Sequence, residues 1–558
     1  MTETGRRPNI VFILTDDHAA HAIGCYGSMV NRTPRIDELA HNGCRLDNCF
    51  VTNSLSTPSR ASILTGTYSH VNGVYGLFTP IDASQTTFIS RLRESGYRTA
   101  MIGKWHMGHG PGHDPEGFDY WDVVPGQGEY WNPTFISVDG RRTVEGYATD
   151  IITDLAMEWV ESLDDRGRGR DEPGLDGDDR GRGSVDPGQG GDKPWCMLVW
   201  HKAPHRPWEP KPEHQALYED PRPLPSTFWD DYSTRSVAVR RTAMRIADHL
   251  GLDDLKTPPP QGLSYEEEAV WKYQRYMRDY LACVHSVDEN VGRLIDWLRA
   301  RGDFDDTIVI YSSDQGFFLG DHGWFDKRLM YEESLRMPFV LSYPRRVAAG
   351  STFDGIVTNV DMAQTLLDAA GTGHGEQMQG RSFWPELSRK QMDETPGDDT
   401  GTDNPIGSDN PVDTDGGHEP AGAAPDRKPA DGFYYRYWEN DDVIHKAPAH
   451  YGYRTERYKL IYYYNDGLGL PFTGLFRYPP EWELYDLEAD PRELRNVYGH
   501  PDYARIGDEL KAAMWREQAR LGDAPHPSQP VPAGCEDVSV AELGELPRYR
   551  WLDPGPME

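Results

Sequence analysis

A chain of 558 residues is longer than one hydrophobic core supports, so more than one folding unit is expected. Its 57 Lys and Arg stand against 90 Asp and Glu, and the formal charge of -33 argues against nucleic acid or an anionic membrane as partner. An anionic substrate would need a local basic pocket.

The first apolar run, Ile10 to Leu14, is too short and too close to Asp16 for a secretory segment, and no stretch approaches the roughly 20 apolar residues of a spanning helix. The six cysteines show no C-x-x-C spacing. A soluble, cytoplasmic protein with reduced thiols is the expectation.

In chain order, Asn9–Leu14 reads as a buried strand that ends in Asp16 and Asp17. Thr99–Ile102 leads to Lys104, Met197–Trp200 to His201 and His205, Thr307–Tyr311 to Asp314, and Met337–Leu341 follows as a fifth strand. Tyr280–Arg299 carries Val284, Val287, Val291, Leu294 and Leu298 at helical spacing. Such alternation predicts an α/β fold, a large mixed, mainly parallel sheet flanked by helices. In open sheets of this kind ligands bind at the carboxyl ends of strands, so the polar residues after each strand are expected to face one crevice.

Two stretches, Asp164 to Lys193 and Asp393 to Asp431, are rich in Asp, Gly and Pro and read as exposed, mobile loops. Beyond them the style changes to tyrosine-rich strands at Gly432–Trp438, His450–Arg454, Tyr458–Tyr464 and Glu483–Leu487, then an amphipathic helix near Tyr503–Leu521. The expected organisation is a large unit over 1–385, an acidic linker over 386–431 and a smaller α+β unit on an antiparallel sheet over 432–558.

The segment Leu55-Ser56-Thr57-Pro58-Ser59-Arg60-Ala61-Ser62-Ile63-Leu64-Thr65-Gly66 can be read by itself as a Ser/Pro turn opening a helix, with Ser56 as N-cap. It also closely resembles the signature of the type I, formylglycine-dependent sulfatases of the alkaline-phosphatase-like superfamily, in which Cys or Ser precedes x-Pro-x-Arg and Thr-Gly follows. The resemblance implies that a serine-type maturating enzyme oxidises Ser56 to formylglycine. Its hydrate offers one hydroxyl as nucleophile and a second to expel sulfate.

Pairs such as Asp16-Asp17 and Asp314-Gln315 are, alone, turns or helix caps, although clustered hard oxygen ligands suit calcium or magnesium. Pro8-Asn9-Ile10-Val11 through Asp17, and Ser313-Asp314-Gln315-Gly316 through Gly320-Asp321-His322-Gly323, are similar to the family's two metal-binding segments. The resemblance implies Asp16, Asp17, Asp314, Gln315 and the modified Ser56 as ligands of calcium, with magnesium as the alternative. Many relatives have His or Asn where Gln315 stands; an amide oxygen can serve.

Three further segments resemble the lining of the family's sulfate pocket: Gly103-Lys104-Trp105-His106, Lys202-Ala203-Pro204-His205-Arg206-Pro207, and Trp324-Phe325-Asp326-Lys327-Arg328. In sulfate ester cleavage negative charge builds on the bridging oxygen, so cations and a proton donor must converge there. On that footing Lys104, Lys327 and Arg60 neutralise charge, His205 or Lys327 is the general acid, and His106 is the base that collapses the sulfated intermediate.

Arg454-Thr455-Glu456-Arg457-Tyr458-Lys459-Leu460-Ile461 and Glu483-Leu484-Tyr485-Asp486-Leu487 look like the family's C-terminal framework. His445, His450 and Arg454 lie where that subdomain commonly reaches substrate, and packing within a strand is an equal reading. The wording His450-Tyr451-Gly452-Tyr453-Arg454 is similar to carbohydrate sulfatases, including those acting on 6-O-sulfated N-acetylglucosamine, which implies a sulfated small saccharide or glycan as substrate. The rival readings are a phosphate or phosphonate ester hydrolase of the same superfamily and a silent glycan-binding relative. Against the latter, Ser56, Arg60 and every metal position are retained.

Overall fold

Asn9–Thr15 is buried at every residue, without the polar alternation of a half-exposed strand, because both of its faces are covered. Ile10, Phe12 and Leu14 enter one core with Ile63 and Leu64, while Val11 and Ile13 enter the other with Val284, Val287 and Val291. The computed structural model, which describes residues 7–168, 193–389, 432–471, 473–474 and 476–542, places this strand in the middle of a ten-stranded sheet.

Its neighbours are Thr307–Ser313 on one side and Trp195–Trp200 on the other, and beyond the latter Arg98–Lys104 and Tyr120–Val124, all parallel. Phe339–Ser342 runs antiparallel to Thr307–Ser313, and the far edge is the antiparallel pair Thr134–Ser137 and Gly140–Thr143. The mixed, mainly parallel α/β sheet is the one expected.

The helix expected at Tyr280–Arg299 runs from Tyr265 to Arg301. Its start is set by a capping box between Ser264 and Glu267, ahead of the apolar spacing that marks its second half. Asp164, expected in a loop, lies instead in the helix Ala148–Arg168 and pairs with Arg301 at 2.9 Å. The start of the expected linker is likewise helical, within Trp384–Arg389. The remainder of both acidic stretches, 169–192 and 390–431, lies outside the described residues.

Phe433–Tyr437, His450–Arg454, Tyr458–Tyr463 and Glu481–Asp486 form a four-stranded antiparallel sheet in chain order. One face, with Tyr434, Tyr451, Leu460 and Tyr462, packs on Leu510 and Met514 of the helix Ala504–Leu521. The other, with Phe433, Tyr435, Tyr437 and Tyr463, joins the core of the large sheet. Among the described residues no helix is long and apolar enough to cross a membrane.

Candidate active site

Strand register brings the polar residues together. Thr15 stands opposite Ser313, so Asp16 and Asp17 emerge beside Asp314 and Gln315; Leu14 and Gly103 both stand opposite Trp200, so His201 to His205 and Lys104 emerge at the same edge. Gly103 has a φ of +102°, and a Cβ there would fall 2.1 Å from the Trp200 carbonyl oxygen, so only glycine lets these strands close up beside Lys104. Asp17, at φ +68°, donates its backbone N–H to Asp314 Oδ1 at 3.3 Å.

Against these strand ends lies the helix Ser56–Thr65, buried along its whole length. Its N-cap is Leu55, not Ser56 as the turn reading would have it, and the cap makes no side-chain hydrogen bond. The Ser56 hydroxyl points away from the helix and donates to Asp16 Oδ1 at 3.1 Å, with Gln315 Nε2 at 3.4 Å.

Three buried cations surround three buried carboxylates. Arg60 bridges Asp16 and Asp314 at 3.0 and 2.9 Å, Lys104 pairs with Asp16, and Lys327 grips both oxygens of Asp17 at 2.6 and 2.7 Å. The fields act unequally. Burial alone would raise the Asp16 carboxyl, but Lys104, His205, Arg60 and Lys327 together hold it well below the usual range. Burial pushes Asp17 up to about 7, with Asp16 and Asp314 adding to it against Lys327. Asp314 rises to about 6 through burial and Asp16, against Arg60 and Lys104.

His205 sits at this cluster, with Nε2 at 3.6 Å from Asp17 Oδ2 and Nδ1 at 2.6 Å from the Arg206 carbonyl. The carbonyl can only accept, so Nδ1 carries hydrogen and Nε2 is the atom turned toward Asp17. His106, at φ +58°, is held by Thr57, whose hydroxyl donates to the His106 carbonyl at 2.9 Å and lies 3.4 Å from Nδ1. Burial first, and the Lys104 ammonium second, keep both imidazoles well below the ordinary histidine range.

The residues present fit a hard divalent cation. Gln315 Oε1 is buried and has no hydrogen-bond partner among the described residues, and ligand atoms of Asp16, Asp17 and His205 lie within 4.8 Å of one another. His205 thus joins the oxygen donors spatially, whereas the sequence assigned it to the leaving group alone.

The three residues expected at the substrate separate. His445 Nε2 pairs with Asp326 at 3.2 Å, next in the chain to Lys327, which brings it to the rim of the cluster. His450 and Arg454 make their contacts elsewhere. His450 is fully buried among Tyr435, Tyr437 and Tyr463, and Arg454 pairs with Glu332 at 3.0 Å and lines a separate cavity of about 870 Å³. The strand pattern at His450–Arg454 was legible, but not which surface it packs on.

The structure adds Gln127, which accepts from Lys104 Nζ at 2.5 Å, and Asp326, which faces His445, Arg206 and Arg328. Asp326 stands beside Lys327 in a recognisable segment and could have been found; Gln127 follows an unmarked strand and carries no signal.

Such a site, a buried hydroxyl among acids and cations at the carboxyl edge of a parallel sheet, defines a hydrolase for esters of tetrahedral oxyanions. Residues 8–171 match the sulfatase family, and residues 320–397 and 421–520 match the C-terminal part of N-sulphoglucosamine sulphohydrolase. An N-acetylglucosamine-6-O-sulfatase of Bacteroides thetaiotaomicron is 38% identical over 93% of this chain and 88% of its own. The human N-acetylglucosamine-6-sulfatase is 27% identical over 68% of this chain and 64% of its own.

A solved structure in complex with its substrate D-glucosamine-2-N,6-O-disulfate superposes with a TM-score of 0.74 at 37% identity, covering 92% of this chain and 98% of that one. The phosphonate monoester hydrolase of Agrobacterium radiobacter shares the fold alone, at 18% identity and a TM-score of 0.60 over 92% of this chain and 96% of its own. The chain belongs to the sulfatase family, with the alkaline-phosphatase-like fold, and is a sulfuric ester hydrolase.

Proposed function

We propose that this sulfatase hydrolyses the 6-O-sulfate ester of N-acetylglucosamine, or of a closely related glucosamine unit in a small saccharide, using calcium and a formylglycine made from Ser56. The observation that carries the reading is the Ser56 hydroxyl, turned out of its helix onto Asp16 beside three buried carboxylates. Support for the sugar comes from the Bacteroides thetaiotaomicron relative and from the structure holding the disulfated glucosamine.

Asp16, Asp17, Asp314 and Gln315 would hold the calcium ion, together with the modified Ser56. When bound, calcium supplies Lewis-acid polarisation of the sulfate and lowers the pKa of the nucleophile. Arg60, Lys104 and Lys327 already balance the three carboxylates in charge, so a divalent ion leaves the pocket positive and ready for an anion. Lys327 and Lys104 are placed to neutralise the sulfate oxygens as sulfur moves to the nucleophile.

His205 Nε2 is the atom able to carry a proton to the departing sugar oxygen. The field that keeps it neutral is that of burial and nearby ammonium groups, and an arriving sulfate opposes that field. His106, held by Thr57 beside the start of the same helix, is the base that returns the sulfated residue to the aldehyde.

The test combines mass spectrometry of the Ser56 peptide, from protein produced with a serine-type maturating enzyme, with sulfate release from position-defined sulfated monosaccharides. Loss of two hydrogens at Ser56 and fastest release from 6-O-sulfated N-acetylglucosamine are expected. An intact serine accompanied by phosphate ester turnover would overturn the proposal.

A further inference from the structure

Away from the strand ends, the short helix Pro212–Ala216 meets the long helix Tyr265–Arg301. There His214, His285 and Glu289 bring ligand atoms within 4.8 Å of one another. His214 Nε2 lies 3.0 Å from Glu289 Oε2, His285 Nε2 lies 3.6 Å from Glu289 Oε1, and the two imidazole rings are 4.7 Å apart. A tetrahedral zinc ion, with bonds of about 2.0–2.1 Å, spaces its ligand atoms about 3.3–3.4 Å from one another. The two observed separations, to the two oxygens of the Glu289 carboxylate, lie on either side of that spacing. His285 and Glu289 stand one helical turn apart and so share a face.

Hydrogen bonding around His214 points the same way. Its Nδ1 is 2.7 Å from Ser286 Oγ, and that hydroxyl donates its one hydrogen to the Ala282 carbonyl at 3.4 Å. In the tautomer in which Ser286 accepts from Nδ1–H, Nε2 of a neutral His214 turns a lone pair toward the Glu289 carboxylate. In that tautomer a metal ion between the two lone-pair donors, 3.0 Å apart, satisfies both. A ligating histidine whose other nitrogen is fixed by an outer hydrogen bond is the usual arrangement at a metal.

We infer that His214, His285 and Glu289 form a second metal site, which takes one zinc-class divalent ion through two imidazoles and a carboxylate. Glu289 is 46% exposed, which leaves solvent access for a fourth ligand. The ion ties the segment after Trp195–Trp200, which carries Lys202 and His205, to the long helix without touching substrate.

The test is calorimetric titration of the full chain with zinc in saturating calcium, with the thermal midpoint followed in parallel. His285→Gln and Glu289→Gln change partly exposed side chains, and their folding is checked by circular dichroism. The wild type should take up one zinc and gain thermal stability. Each variant should bind at least about tenfold more weakly and lose the thermal response. Absence of zinc uptake by the wild type, or undiminished uptake by either variant, overturns the assignment; the latter outcome would place the zinc among the catalytic carboxylates.

Discussion

At the carboxyl edge of the large sheet, Asp16, Asp17 and Asp314 crowd so closely that burial and their neighbours' charges lift Asp17 to about 7 and Asp314 to about 6. In the C-terminal sheet buried charges are spread apart: Arg436 meets Asp523 at 2.7 Å, Lys459 meets Glu493 at 2.6 Å and Glu332 at 2.9 Å, and Glu483 accepts from the hydroxyls of Tyr331, Tyr463 and Tyr485. Three acids crowded at one strand edge mark the place that awaits a guest, and dispersed ion pairs mark framework.

Ser56→Ala gives the sharpest break. It removes only the hydroxyl on Asp16, so turnover should fall by about 10⁴-fold or more, while calorimetry should still register the sulfated sugar. Turnover within about tenfold of the wild type would show that the large sheet's edge does not hold the nucleophile. Asp314→Ala comes next: activity should drop by about 10–100-fold together with calcium affinity, and added calcium should restore part of it. A drop in activity that calcium cannot repair would remove Asp314 from the metal set.

The C-terminal region should answer in stability instead. Asp523→Ala strands the buried guanidinium of Arg436, at a cost of about 3–5 kcal/mol in unfolding free energy. Its kcat should stay near that of the wild type, and a change in kcat would blur the contrast drawn between the regions.

The smallest effect is expected at His450, which burial pushes down to about 4. Between that value and the unfolded value of about 6.5, the unfolded chain binds a proton that the folded chain refuses. Stability is therefore full above about 6.5 and drains as pH falls toward about 4, by about 3 kcal/mol in all. In urea titrations across this window His450→Phe should flatten the dependence and leave KM for the sulfated sugar unchanged. A raised KM would restore His450 to the substrate site.

Most of the catalytic edge was legible because a buried strand writes itself as an apolar run, and the polar residue after it marks where the run meets the crevice, as at Asp16, Lys104 and Asp314. Local signals failed where a neighbour decides. Ser56 looked like a cap, yet the attraction of its hydroxyl to Asp16 depends on a residue forty positions earlier. His450 was placed on a strand, but tyrosines of the two neighbouring strands determine that its ring stays buried. The edge strands are short, with a single buried residue in Thr134–Ser137 and none in the exposed Gly140–Thr143, so hydrophobic pattern gave no hint of them.

Complete burial of Ser56–Thr65 carries a consequence for timing. An agent that must grip several residues around Ser56 finds every one of them enclosed in a helix against the sheet. Any chemical rewriting of that serine belongs to the newborn polypeptide, before the strands assemble over it, and a finished molecule that missed its moment has no second chance without unfolding.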